Sequence, residues 1–146
     1  MTHADRTRAL LATERIGSLS THSAVHPGYP FGSVMPYAIV DDGSPVFLIS
    51  GMAMHAQNLL ADPRASLLVM QSDGDARATL VGDVVRLDEA PQAWRDAYLE
   101  RHPNARQWAG FGDFAFYRLD VKEVYFVGGF GSMGWVSADD YRAGKP

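Results

Sequence analysis

Runs of apolar, aromatic and β-branched residues recur along this chain, and each is closed within a few residues by Gly, Pro, Asp, Asn or Ser. That punctuation is too frequent for long helices and restricts the fold to short strands joined by turns. The runs are Ser18 to Ala24, Phe31 to Val40, Pro45 to Ser50, Ala65 to Gln71, Arg77 to Leu87, Phe114 to Leu119 and Lys122 to Val127. Asp41-Asp42-Gly43 predicts a hairpin between the second and third, because Asp and Gly tolerate the positive φ of tight turns. Ala65 to Gln71 reads as a strand buried on both faces. Gly82 predicts a bulge or a close backbone approach, and Asp120 divides the last two runs.

Helical spacing is confined to short segments. Ala9, Leu10, Ala12 and Ile16 recur at three- and four-residue steps within Asp5 to Ile16, a stretch ended by Gly17. Ala53 to Leu60 is stopped by Asp62-Pro63, since proline excludes the helical conformation for its predecessor. Pro91 to Arg101 places Trp94, Ala97 and Tyr98 on one face, a shorter turn surrounds Ala105 to Ala109, and the tail after Trp135 is polar and reads as peripheral. No strand–helix–strand alternation links these pieces. The expected fold is therefore mainly β: a six- to seven-stranded antiparallel barrel with short peripheral helices, as one domain over residues 1–146.

Composition removes several functions. The absence of cysteine excludes disulfides, thiolate metal sites, iron–sulfur clusters and cysteine nucleophiles. A net charge of −4 without a basic block lacks the footprint of a nucleic-acid binder. No apolar run approaches the ~20 residues of a membrane span, and the N-terminus does not read as a signal peptide, so a cytoplasmic protein is expected. The five histidines show neither HxH nor HExxH spacing, and no metal site is expected.

Candidate chemistry gathers where the third run gives way to a helix. Ser50, His55 and Asn58 lie at that junction, with His55 and Asn58 three residues apart and so on one helical face. Hydroxyl, imidazole and amide groups there can complete the anion site that a helix N-terminus offers. Spacing alone would also fit ordinary polar residues at element ends. Gly32, Ser33 and Val34 form a second candidate, because a strand edge presents N–H and C=O groups that can pair with a heterocycle. Pro36 cannot donate to a ladder and suits an edge strand. Arg77 offers a guanidinium for a phosphate, with Arg64 in competition but placed in an Asp-Pro-Arg turn. Gly128-Gly129-Phe130-Gly131, followed by Trp135, allows close backbone approach beside an aromatic.

Tyr29-Pro30-Phe31-Gly32-Ser33-Val34-Met35-Pro36-Tyr37, then Ser50, His55, Asn58 and Asp62-Pro63-Arg64-Ala65-Ser66-Leu67-Leu68, resembles the FMN-binding split barrels of the pyridoxamine 5'-phosphate oxidase-like superfamily. The Tyr-Pro-Phe-Gly-Ser strand and the late Gly-Gly-Phe-Gly are similar to its haem-utilisation (HugZ-like) branch, and the likeness runs from about Ile16 to Trp135. The resemblance implies FMN as cofactor, with its ring on Gly32, Ser33 and Val34, its phosphate at Ser50, His55 and Asn58, and Trp135 bordering the ring. It also implies a homodimer in which Arg77 reaches the phosphate from the other subunit. The aromatics Phe111, Phe114, Phe116, Tyr117, Tyr125 and Phe126 are expected to supply the apolar interface. Haem-utilisation members carry a C-terminal extension that supplies haem contacts, whereas this sequence ends at Pro146. Gly32 and Tyr37 stand where pyridoxamine 5'-phosphate oxidases carry basic residues, so vitamin B6 oxidation is not expected. The expected function is FMN-dependent oxidation or reduction of an unidentified small substrate. The alternative is a haem- or flavin-binding module, and no catalytic acid, base or nucleophile is assigned.

Overall fold

In the computed structural model, which describes residues 1–146, eight strands form one antiparallel sheet. They are β1 (Ile16–His22), β2 (Pro30–Pro36), β3 (Ala38–Ile39), β4 (Pro45–Ser50), β5 (Arg64–Met70), β6 (Ala76–Leu87), β7 (Phe114–Gly128) and β8 (Met133–Ser137). The order is β2-β1-β5-β6-β7-β4-β3, with β8 paired to β7. The terminal strands β2 and β3 are separated by Tyr37 alone, so the sheet must curl until its edges meet. This is the split barrel expected from the sequence, with one strand more than the upper count.

The single run Phe31 to Val40 is thus two strands. β2 pairs with β1, and only Ala38 and Ile39 form the hairpin across Gly43, whose φ is 87°. Pro36 and Tyr37 cause the break: proline ends the ladder on β2, and the Tyr37 side chain turns fully inward. The two runs divided at Asp120 are in contrast one strand, β7. Its register with β6 shifts between Val81 and Gly82, so the bulge predicted from Gly82 lies at that position.

Four helices, α1 (His3–Thr13), α2 (Met54–Ala61), α3 (Gln92–Arg101) and α4 (Ala138–Ala143), surround the sheet, with a 3-10 turn at Pro103–Gln107. α1, α2 and α4 face the inside of the barrel: Leu10, Leu11, Leu59 and Tyr141 join Leu19, Leu67, Leu80 and Phe126 in one core. α3 packs outside β4, where Tyr98 meets Val46, Leu48 and Phe116. Hence β4 is the strand buried on both faces, with Phe47 and Ile49 toward one core and Val46 and Leu48 toward the other. β5, expected to be that strand, buries Leu67 and Val69 but leaves Met70 half-exposed, because no helix covers its outer side.

α1 begins with a capping box between Thr2 and Asp5. It stops at Thr13, short of Gly17, because its terminal carbonyls are taken from outside. The Tyr37 hydroxyl lies 2.8 Å from the Leu11 carbonyl and 2.9 Å from that of Glu14. Arg101 donates to the carbonyls of Leu11, Ala12 and Glu14. His102 Nε2 reaches the Tyr37 carbonyl at 2.6 Å. The tail is no periphery either: Tyr141 is fully buried, donates to the Gly43 carbonyl at 2.6 Å and carries the Arg8 guanidinium over its ring.

Burial lowers the pKa of both His102 and His55. A depressed folded-state pKa means that the unfolded chain binds protons first as pH falls, so stability present above about pH 6.5 is lost below it. Thermal melts should be flat from pH 8 to 7 and fall from about pH 6.5 downward, well before the carboxylates titrate near 4. His102→Asn should flatten that slope. A melting temperature independent of pH between 7 and 5 would contradict the assignment.

Candidate functional site

The candidate residues divide between the two rims of the barrel. At one rim, Ser50 ends β4, donates to Asp113 Oδ2 at 2.7 Å and accepts from the Met52 amide at 3.2 Å. Its hydroxyl proton is thereby committed to Asp113, and its oxygen holds the turn into α2. No side chain caps α2, whose N-cap is Ala53, so the Met54 and His55 amides of its first turn are open. His55 is half-buried with no hydrogen-bond partner in the chain, and its lowered pKa keeps the imidazole neutral near pH 7 with one ring N–H to donate.

Asn58 is placed differently from His55. It is fully buried, Nδ2 donates to Thr21 Oγ1 at 3.1 Å, and Oδ1 accepts from the Ala24 amide at 3.0 Å. Any part it has in a site is therefore to hold β1 and the β1–β2 loop against α2. Thr21 Oγ1 in turn lies 3.5 Å from the Phe31 carbonyl at the start of β2. Gly32, Ser33 and Val34 pair with Ser20, Leu19 and Ser18 on one side, and the other edge of β2 is free. Ser33 is half-buried and Val34 is 75% exposed. Arg64 also lies at this rim, but Asp62 holds its guanidinium through bonds of 3.0 and 2.7 Å.

Arg77 occupies the opposite rim. It opens β6, pairs across to Met70 and Val127, and donates one bond to the Gly74 carbonyl at 3.0 Å. Val84, whose amide bonds the Pro63 carbonyl just past α2, is seven residues further along the same strand. At 3.3 Å per residue the two rims are roughly 23 Å apart. Arg77 and His55 of one chain therefore cannot bind the same phosphate.

Between the rims lies a sheet face that no helix covers. One register row crosses six strands, reading Val34, Ser18, Leu68, Thr79, Tyr125 and Trp135. The neighbouring row holds Pro36 and Ile16, then Met70, Arg77, Val127 and Met133. Arg77 is the one charge in both rows. Trp135 stands 62% exposed with its ring 5.0 Å from Tyr125. Of the aromatics expected on this face, Phe116, Tyr117 and Phe126 are buried instead, because the inward side of β7 and the α3 cluster absorb them.

The strand β8 that carries Trp135, and α4 after it, were not legible as elements. The signals were present in the alternation Met133-Gly-Trp135 and in Ser137, which caps α4 by accepting from the Asp140 amide. Also unforeseen is the grip of α1 on the Gly-rich hairpin. Arg6 donates to the Gly128 carbonyl at 3.1 Å and to Ser132 Oγ at 3.3 Å, and a Cβ on Gly128 would lie 2.4 Å from its guanidinium.

Comparison with known proteins gives this architecture a lineage. A chloroplastic heme oxygenase of Arabidopsis thaliana, HOZ, is 42% identical over 146 aligned residues, covering 94% of this chain and 45% of the relative. The heme oxygenase HutZ of Vibrio cholerae is 31% identical over 77% of this chain and 70% of its own length. The solved heme binding protein from Mycobacterium smegmatis superposes with a TM-score of 0.90 at 33% identity, covering 99% of this chain and 62% of that one. This chain thus spans less than half of the Arabidopsis relative. A structure from Clostridium acetobutylicum described as of the pyridoxinephosphate oxidase family, 13% identical, shares the fold alone. The CREG β-barrel family profile matches residues 1–143, and the chain belongs to that family, with heme oxygenases among its relatives.

Proposed function

We propose that this chain handles haem as a homodimer, holding a flat, anionic ring between two copies. The observation that carries the reading is the uncovered sheet face, where the two adjoining rows from Val34 to Trp135 and from Met70 to Met133 hold Arg77 as their only charge. A porphyrin is planar and apolar with carboxylates at one edge, so such a face suits its body and a guanidinium suits a propionate. The names of the Vibrio and Mycobacterium relatives support the same choice. Haem when bound supplies a redox-active iron. The chain's own contribution is to bind and orient the ring and to exclude water from it. Exposed apolar side chains as large as Val34, Met70, Met133 and Trp135 favour a second copy as the cover.

A second reading, an FMN-dependent oxidoreductase, has its own support. The uncapped α2, the uncommitted His55 and the free edge of β2 form a cradle for a phosphate and a heterocycle edge. Arg77 would complete it only from the other copy, because within one chain it lies on the opposite rim, roughly 23 Å away. Titrations of the purified chain with hemin, FMN and riboflavin separate the readings. Hemin is expected to give a shifted Soret band, and Arg77→Ala to weaken it about tenfold or more. If FMN also binds, His55→Ala should weaken FMN by a similar factor and leave hemin and riboflavin unchanged. Hemin binding indifferent to Arg77 would overturn the first reading. Riboflavin binding as tightly as FMN would overturn the second.

A further inference from the structure

We propose that the cleft between α2 and the end of β6 is a binding site for a small monocarboxylate with a hydrocarbon body, separate from the sheet face and from the free edge of β2. The cleft has a volume of about 440 Å³, within the range of small-molecule sites. Its walls are apolar. Leu59 and Val84 form the floor as part of the barrel core, and Leu60 stands at the lip, 91% exposed. An aliphatic side chain that bare beside an open apolar cleft gains contacts when a hydrocarbon enters.

Three polar groups converge on the same space without partners inside the chain. Arg86 lines the cleft, forms no ion pair and lies directly opposite Tyr117 in the β6–β7 ladder, so both side chains leave the sheet on one face. Tyr117 is otherwise buried, and its hydroxyl is uncommitted. Gln57 offers its amide from α2, one helical turn before Leu60. Every other arginine at this rim is engaged: Arg64 is held by Asp62, and Arg118 lies over Trp94. A guanidinium fork, a phenol and an amide beside a hydrocarbon floor match a carboxylate head with an aliphatic or aromatic tail. A dianion would leave one charge uncompensated, because Arg86 is the only cation of the cleft.

Octanoate is a suitable probe, with octan-1-ol as its uncharged counterpart, added to the full chain in the absence of haem and flavin. In amide-resolved NMR titrations, octanoate should shift Gln57, Leu60 and Arg86. Arg86→Gln should weaken octanoate about tenfold or more, as expected for loss of a charge-assisted bond, and leave octan-1-ol unchanged. Tyr117→Phe should weaken it by a smaller factor, and Leu60→Asp should weaken both probes. Arg86 and Leu60 are exposed, so their replacement leaves the fold intact. Octan-1-ol binding as well as octanoate, an unchanged affinity in Arg86→Gln, or shifts confined to the Val34–Trp135 face would each overturn the proposal.

Discussion

Gly82→Ala is expected to lower the stability of the chain by roughly 4 kcal/mol or more, an effect at the upper end for a single added methyl. A Cβ at this position would lie 2.0 Å from the Asp120 carbonyl oxygen and 2.9 Å from its carbon, both backbone atoms of the adjoining strand. Rotating a side chain cannot relieve the clash. The β6–β7 ladder, the longest in the sheet, would have to part at its bulge. For a domain of this size the melting temperature should fall by roughly 10 °C. Gly32→Ala is the matched control, since nothing lies within 4 Å of its added Cβ, and it should change stability by no more than about 0.5 kcal/mol. Equal effects of the two substitutions in thermal melts would contradict the packing described here.

Tyr37→Ala should be comparably severe, at roughly 4 kcal/mol, because it removes a fully buried aromatic from the one residue that joins the two edges of the sheet. The loss has a second component. Without the hydroxyl, the Leu11 and Glu14 carbonyls at the end of α1 keep only Arg101 as a side-chain donor. Tyr37→Phe isolates that component and is expected to cost about 1–3 kcal/mol. Denaturant unfolding of the three proteins measures both. A Phe variant as unstable as the Ala variant would mean that the hydroxyl, and not the ring, closes the seam.

Local signals explain which parts of this architecture were readable. Proline at position 63 and glycine at 82 act on their neighbours through sterics that do not depend on the rest of the fold, and the stop before β5 and the bulge on β6 lie where they indicate. Partner choice was not readable: Asp41-Asp42-Gly43 forms its turn, yet β2 pairs with β1 because Tyr37 is pulled into the core beneath α1. Burial on one face or two depends on where a helix lands. Thus β4 and β5 look alike as apolar runs, and only α3 distinguishes them. The same holds for the candidate site. His55 and Asn58 share a helical spacing, but Asn58 is drawn inward by the Ala24 amide and Thr21, a partnership across more than thirty residues that no local pattern encodes. The Arg77 rim and the α2 rim separate only when the chain has been threaded along β6.

The proposed FMN site shared between two copies can be tested most directly by mixing two defective chains. In the proposed homodimer, His55→Ala and Arg77→Ala would each remove one of the two groups from both sites. In a mixed dimer, one site loses both groups and the other keeps both. If the chains are refolded together so that half of the dimers are mixed, about a quarter of all sites should recover the wild-type affinity for FMN. Neither variant alone should show such a fraction. A mixture that binds FMN no better than the average of its components would contradict a site built from His55 of one copy and Arg77 of the other.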